Sequence, residues 1–441
     1  MNVVVAKADA GRALSDVFAS ARDRLPGLGT VVDARKQAFA SYQQTGLPHR
    51  RIEDWKYTDL RALMREVLPL AAEPDAEALR RAELVLSSLA TSDSGRLVLV
   101  DGTFTPLLSD LAGLGDGVTV RRLRDVLDNA GNEARADLLH NGAIVDPMLA
   151  LNAAMATDGV LIAVAAGAAP ARPIHIVHVA THLSAAAYTR SYFTIGVGAR
   201  ATLLESFVAA DGVRSYQAND AIITWIGDDA DLQHVRLMAD APDAVNISTA
   251  IVTVGAKARF STFNMTSGGG VSRYQGYITV AGEGAEVSAN GVNLLKGSQH
   301  ADTTLFMDHA VPNCSSREIF RAVVDDRGHS VFQGRIMVRP KAQKTDAKMM
   351  TRALLLSDEA EADNKPELEI FADDVTCGHG ATSGALDESL LFYLRARGLP
   401  ESEAQGLLIQ AFVGEAIETI ADDGLRELAA AAALRWLEAR R

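Results

Sequence analysis

The chain has 441 residues, of which 48% are hydrophobic and 22% charged, as in ordinary folded soluble proteins. This length predicts two or three domains, and the formal charge of −13 argues against a nucleic-acid-binding protein, whose surface must be basic. Two cysteines are too few for a disulfide framework, which indicates a reducing compartment. Since no run of about 18 apolar residues occurs, we expect no transmembrane helix, no membrane partner and a cytoplasmic location.

The first part of the chain, residues 1–92, has the apolar spacing of helices and is predicted to form an N-terminal helical domain. The predicted helices are Ala10–Arg24, Val31–Thr45 and Ala76–Leu89. Between them, Glu53–Thr58 mixes charged residues with Trp55 and Tyr57. We interpret this segment as a docking element whose aromatic residues anchor a small helical subdomain. A role in stacking on a ligand is the alternative.

The middle of the chain, residues 93–385, is rich in short β-type runs closed by Gly, Asp or Pro. Within it an apolar-Gly-x-x-Ala motif recurs about every 30 residues, each time followed by an alternating strand, with its glycines at Gly196, Gly227, Gly255 and Gly282. This repeat predicts a mainly β fold, a parallel β-helix in which each coil stacks on the one before. A two-sheet sandwich is the alternative, but its turns would recur every 8–12 residues or so.

After Gly384 the helical pattern returns, and residues 386–441 are predicted to form a C-terminal helical domain. Asp387 is the expected N-cap of the first helix, which ends at Gly398, and Pro400 precedes the second. The third begins at Asp422 or the residue after it. Its wide apolar face fits docking to a partner and packing within the chain equally well.

The stretch Phe371–Gly384 contains the strongest candidate site, because Cys377 and His379 lie two residues apart on a predicted strand. Their side chains then share a face, with Cα atoms roughly 6.6 Å apart. A tetrahedral zinc site needs four ligands and a four-iron cluster usually takes four cysteines. This pair therefore predicts half of a metal or cluster site, completed by another subunit at an unpaired strand edge.

Other polar groups support rival interpretations. His300 and Asp302 share a strand face, and His309 and Cys314 follow. A stand-alone metal-dependent enzyme with His300, Asp302 and His309 as ligands is one alternative, and a purely structural partner with an incidental Cys377 is another. The chain has no Walker A loop, no strand-linked GxGxxG and no GxSxG, so we expect no nucleotide bound to it.

Ordered blocks of residues run through most of the chain: Ala150–Asn152, Gly282–Asn290, His300–Thr304, His309–Ser316, Arg339–Asp346, Leu354–Ser357, Lys365–Ile370, Ala372–Val375 and Cys377–Thr382. Together they resemble the SufB/SufD family of iron–sulfur cluster assembly proteins. Glu53–Thr58 and the lack of a cysteine before Cys314 resemble the SufD type rather than the SufB type.

The resemblance implies a right-handed parallel β-helix flanked by helical domains. It implies a non-catalytic scaffold subunit that pairs with a SufB-like paralogue through edge strands and binds a SufC-like ABC-type ATPase through its C-terminal helices. The docking residues expected there are Asp387, Leu391, Tyr393, Leu394 and Phe412. The sequence leaves open a homodimer through the same edge when the chain is alone.

The resemblance also implies a transient iron–sulfur cluster or iron, held at the interface between the paralogues. His379 is the preferred ligand from this chain and Cys377 the next. Secondary candidates are His300, Asp302, His309 and Cys314. Whether the complex holds a flavin is left open.

Overall fold

The computed structural model describes residues 2–64, 66–89, 93–129 and 133–440. The N-terminal helices predicted from apolar spacing are present, although the first begins earlier than expected. Their bounds are α1 Asn2–Ala21, α2 Thr30–Thr45, α3 Leu60–Leu63 and α4 Ala76–Ser88. The predicted domain boundary at residue 92 lies outside the described residues, and the division into three domains stays a prediction.

Short strands and two helices lead from this region into the repeat. They are β1 Gly95–Val100, β2 Thr103–Phe104, β3 Val118–Arg122, α5 Leu123–Asp128 and α6 Pro147–Met155. Helix α6 begins with Pro147 behind an Asp146 N-cap, whose carboxylate accepts a 2.8 Å hydrogen bond from the Leu149 amide. Helices therefore also occur within residues 93–385.

The repeat itself forms sixteen strands in the part of the chain described here. They are β4 Val160–Val164, β5 Ile174–Ala180, β6 Ala186–Ile195, β7 Arg200–Ala209, β8 Gln217–Ile226, β9 Asp231–Met238, β10 Val245–Val254, β11 Arg259–Thr266, β12 Val271–Val280, β13 Glu286–Leu295, β14 His300–His309, β15 Ser315–Val324, β16 His329–Val338, β17 Asp346–Leu355, β18 Glu361–Ile370 and β19 Thr376–Gly384.

Consecutive strands of the repeat alternate between two sheets. The large sheet has ten strands in the order β19-β17-β15-β13-β11-β9-β7-β5-β1-β2, and the small sheet has nine in the order β18-β16-β14-β12-β10-β8-β6-β4-β3. Neighbours from β4 onward are parallel and in continuous register, as where Val245 of β10 pairs with Val271 of β12. This is a β-solenoid of about eight turns, which confirms the predicted β-helix and excludes the sandwich.

The Gly-x-x-Ala motifs form the turns between the sheets, and close stacking of the coils explains their composition. A Cβ on Gly282 would lie 1.9 Å from the Ala256 nitrogen of the preceding turn, and one on Gly196 would lie 2.4 Å from the Ala166 nitrogen. The motif alanines, Ala258 and Ala285 among them, are fully buried in the interior. Only glycine permits this approach of backbone to backbone.

Three packed layers stabilise the molecule. The main core lies between the two sheets. Helices α1 to α3 and α6 cover part of the outer face of the small sheet, while α4 packs on β1 and β5 of the large sheet. At the other end of the chain lie α7 Glu388–Ala396, α8 Glu401–Ile417 and α9 Asp423–Arg440. The last two cover the outer face of the large sheet, where Ile409 and Trp436 are buried, so the last helix packs within the chain.

Candidate functional site

Cys377 and His379 lie on β19, the outermost strand of the large sheet. They pair in register with Ala347 and Met349 of β17, whose side chains belong to the solenoid interior. The two candidates therefore share a face, as the alternation predicts. Because no further coil covers β19, the Cys377 side chain is half-buried against the core and His379 is exposed. A thiol and an imidazole thus stand together at the open end of the solenoid.

The thiol of Cys377 is held in its protonated form. Burial raises its pKa, and the carboxyl groups of Asp346 and Glu318 raise it further, while a backbone hydrogen bond from Ala347 lowers it. Since thiolate is the form that binds metals, binding here must displace a proton. A metal cation that binds at this edge would favour loss of the proton from the Cys377 thiol.

Further polar groups line the solenoid interior behind this edge. The Nε2 atom of His309 lies 3.1 Å from the Ser316 hydroxyl, and His309 is fully buried. Burial raises the pKa of Glu318 to about 8, against smaller lowering effects of Ser316 and Arg317. Among the described residues, neither Glu318 oxygen has a partner with hydrogen-bond geometry, so Ser316 does not compensate its burial. Sequence reasoning missed Glu318.

The secondary candidates are dispersed over the solenoid. His300 and His309 stand at opposite ends of β14, roughly 30 Å apart at the rise of a strand, and they face opposite sides of the small sheet. Cys314 is buried in the turn before β15, where its sulfur lies 3.4 Å from the Gly282 carbonyl oxygen. The residues described contain no group of three or more His, Cys, Asp or Glu side chains arranged to hold a metal ion.

His300 and Asp302 do lie together, but on the outer face and in contact with the N-terminal region. Thr58 hydrogen-bonds both, at 2.9 Å from His300 Nε2, and Arg273 forms an ion pair with Asp302. Burial lowers the pKa of His300 to about 4. The segment Glu53–Thr58 therefore docks, and Trp55 lies in the apolar cluster of the N-terminal helices, but the polar contacts of the segment are with the solenoid, which was not predicted. Trp55 is buried in this contact.

The C-terminal docking candidates are grouped around α7. Asp387 is its N-cap, with Oδ1 2.8 Å from the Ser389 nitrogen. No side chain of α7 is buried: Leu391 and Leu394 are half-buried, and Tyr393 is exposed. Phe412 of α8 packs beside Arg321 of β15. Sequence reasoning missed Phe392, which is 73% exposed and is the most prominent apolar side chain of α7.

None of the helices in the described ranges is both long and apolar enough to cross a membrane.

Two family models together match nearly the whole chain. Residues 178–412 match the model described as "SUF system FeS cluster assembly, SufBD core domain", and residues 12–176 match the "SufBD protein N-terminal region". The chain is 33% identical over 398 residues to the iron–sulfur cluster assembly protein SufD of Escherichia coli, which covers 89% of this chain and 90% of that protein.

Two further proteins are similar to this chain over most of its length. An iron–sulfur cluster assembly SufBD family protein of Synechocystis is 29% identical over 402 residues, covering 88% of this chain and 87% of that protein. A chloroplastic protein of Arabidopsis thaliana, ABCI7, is 26% identical over 421 residues, covering 93% of this chain and 86% of its own length. With the β-solenoid and its flanking helices, these matches establish that the chain belongs to the SufB/SufD family of iron–sulfur cluster assembly proteins.

Proposed function

We propose that this chain is a non-catalytic scaffold subunit of an ATP-driven iron–sulfur cluster assembly complex. Its terminal coil pairs with a SufB-like paralogue, and a nascent cluster or iron is held between the two edges. The observation that carries the proposal is the position of Cys377 and His379, side by side on the outermost strand of the large sheet.

The chemistry of the edge favours a shared site. One thiolate and one imidazole supply two of the ligands that iron in a cluster takes, and a facing subunit has to supply the others. The free side of β19 also presents unpaired backbone groups, which suit the addition of a partner strand. Both requirements are met by one event, the docking of a paralogous solenoid end.

Helix α7 is the element that we assign to the ATPase. Its Leu390, Phe392 and Tyr393 are all more than half exposed, so apolar side chains of α7 are available to a partner. A cavity of about 430 Å³ lies beside it, lined by Leu354 and Phe412 among other residues, and can receive an anchoring side chain of the partner.

The same helix is joined directly to the candidate cluster edge. Strand β19 ends at Gly384 and α7 begins at Glu388, so three residues separate them. A force applied to α7 by an ATPase that changes shape is therefore transmitted to the strand that carries Cys377 and His379. This connection links ATP turnover in the partner to exposure of the edge.

The test is cluster formation on the complex of this chain with its paralogue and ATPase, followed by visible absorbance and iron content. We expect His379→Ala to abolish cluster build-up and Cys377→Ser to reduce it, with complex stoichiometry unchanged. His140→Ala removes another exposed imidazole and is the matched control. Normal cluster yield from both edge variants would leave only a structural role for this chain. ATPase activity in the isolated chain would contradict the non-catalytic assignment.

A further inference from the structure

The segment Glu53–Thr58, here called the strap, crosses the outer face of the small sheet and reaches its last strand. Its contacts fall on Arg273 of β12, His300 and Asp302 of β14, Arg335 of β16 and Lys365 of β18. These four strands are consecutive neighbours in the sheet. A short piece of the N-terminal region thus binds every coil from the middle of the solenoid to its open end.

One half of the strap is a buried anchor. The Trp55 indole donates a 2.8 Å hydrogen bond to Asp146, and the Arg273 guanidinium lies 3.9 Å from the centre of a Trp55 ring. Arg273 also donates to the Asp54 carbonyl at 2.6 Å. The Thr58 hydroxyl is buried against Asp302. Because these groups are desolvated and mutually paired, detaching this half would leave buried charges without partners.

The other half reaches the terminal coil through ion pairs. The Asp54 carboxylate accepts from Arg335 at 2.7 Å, and Glu53 accepts from Lys365 at 2.5 Å. The Lys365 side chain is 19% exposed and also lies 3.2 Å from Glu367. Each pair is weak by itself, as partly exposed ion pairs are. The Glu53–Lys365 pair fixes β18 itself. The Asp54–Arg335 pair fixes the neighbouring strand β16, and Arg335 also lies 3.8 Å from Glu367 and Glu369 of β18.

A second row of contacts leads from the buried anchor of the strap to β18. His300, bound to Thr58, meets the ring of His329 edge-on at 4.8 Å between centroids. The Nε2 atom of His329 lies 2.8 Å from a carboxylate oxygen of Asp363, in β18. Two side chains of the last strand of the small sheet, Asp363 and Lys365, are therefore tied to the strap region.

The terminal coil needs such support because it has a neighbouring coil on one side only. End coils of a solenoid open more easily than internal ones. Strand β18 continues through the turn 371–375 into β19, so movement of β18 also displaces Cys377 and His379. We infer that the strap is a clamp on the open end, and that Glu53, Asp54 and Lys365 are positioning residues for the Cys377/His379 edge. The clamp itself is a property of the isolated chain, while its effect on the cluster rests on the proposed function.

The first test is hydrogen–deuterium exchange on the full chain, comparing the double variant Glu53→Gln/Asp54→Asn with wild type. We expect amide exchange in residues 361–370 and 376–384 to rise about three- to tenfold, since loss of the Glu53 pair releases β18 and loss of the Asp54 pair weakens the hold on its neighbour β16, each by the amount typical of exposed ion pairs. Strands β9 to β13 should be unaffected. Asp231→Asn, which removes an exposed carboxylate from the Arg259–Asp231 pair between β9 and β11, is the matched control.

Lys365 supplies a rescue test. Lys365→Arg should retain the slow exchange of β18 and β19, and Lys365→Met should lose it. Unchanged exchange in the double variant, or an equal rise throughout the solenoid, would overturn the clamp. In the reconstituted complex, the double variant should weaken binding of the paralogue and lower the cluster absorbance, with Lys365→Arg close to wild type.

The clamp and the proposed function can fail independently of each other. If exchange rises as expected but both His379→Ala and Cys377→Ser leave the cluster intact, the clamp stands and the proposed function fails. If His379→Ala abolishes the cluster while exchange in the double variant stays at the wild-type level, the clamp fails and the proposed function stands.

Discussion

Glu318 of β15 lies directly opposite Met349 of β17, and both residues face the interior of the solenoid. A carboxyl group thus lies beside a thioether, with Met349 one strand and Glu318 two strands inside the edge that carries His379. Burial keeps this carboxyl protonated over most of the physiological pH range, since its pKa is raised to about 8.

The first prediction concerns the pH dependence of stability. Because the folded-state pKa of Glu318 is raised from 4.5 to about 8, its stabilising effect is complete below pH 4.5 and is lost as the pH rises through 8. In urea unfolding, the contribution of this group should lower the free energy of unfolding by on the order of 5 kcal/mol across this window. Glu318→Gln should remove that part of the slope. Parallel slopes for both proteins would contradict the prediction.

The second prediction concerns the two thiols. Cys377 is half-buried and Cys314 is only 2% exposed, and burial raises the pKa of both. Iodoacetamide should label Cys377 slowly at neutral pH and faster above pH 9, while Cys314 stays unmodified in the folded protein. Mass spectrometry of the labelled chain measures this, with Cys377→Ser as the control. Preferential labelling of Cys314 would contradict the placement of both residues.

The third prediction concerns the exposed face of α7. Phe392→Ser removes an apolar side chain that no part of the described chain buries, so the melting temperature should stay within about 2 °C of wild type. Binding of the ATPase should weaken at least tenfold, as expected for an aromatic anchor. Leu107→Ser, at an 87% exposed leucine near the other end of the solenoid, is the matched control. Equal binding by all three proteins would place the ATPase elsewhere.

The fourth prediction concerns the stacked turns. Gly282→Ala forces a methyl group into the backbone of the preceding turn, 1.9 Å from the Ala256 nitrogen, and should destabilise the protein by about 3 kcal/mol or more. Gly414→Ala in α8 meets no atom within 4 Å and should stabilise by about 0.5–1 kcal/mol. Thermal unfolding of both variants compares the two effects. Similar melting temperatures would refute the steric account of the repeat.

The β-helix could be predicted because its constraint is local and recurs. The four turns of the motif carry glycine at the close approach and a small residue in the corner, so Gly255 and Ala258 have the same geometry as Gly282 and Ala285. The start of α7 could likewise be predicted, because the Asp387 side chain caps it through a local hydrogen bond from the Ser389 backbone nitrogen. The edge position of Cys377 follows from its place on the last strand.

The contacts of His300 were not predictable for a different reason. Its partner Thr58 lies 242 residues away along the chain, and no local pattern encodes such a pairing. Its odd spacing from His309 within one strand does place the two on opposite faces, which argues against their sharing one site.

The burial of Glu318 could not be predicted, because the outer face of the large sheet is covered by helices and is therefore buried like the inner face. With Ile319 packed outward under α8 and α9, and Phe320 packed inward, the alternation of polar and apolar residues no longer tells the two faces apart.

The strap also limits how this repeat protein can change in length. Coils of a solenoid are interchangeable in their stacking, so a coil can in principle be inserted or deleted without disturbing the others. Between Arg273 and Lys365, however, each added coil would carry Lys365 about 4.8 Å farther from Glu53. The six residues of the strap therefore span a fixed number of coils, and the stretch of the solenoid between Arg273 and Lys365 is held to one length.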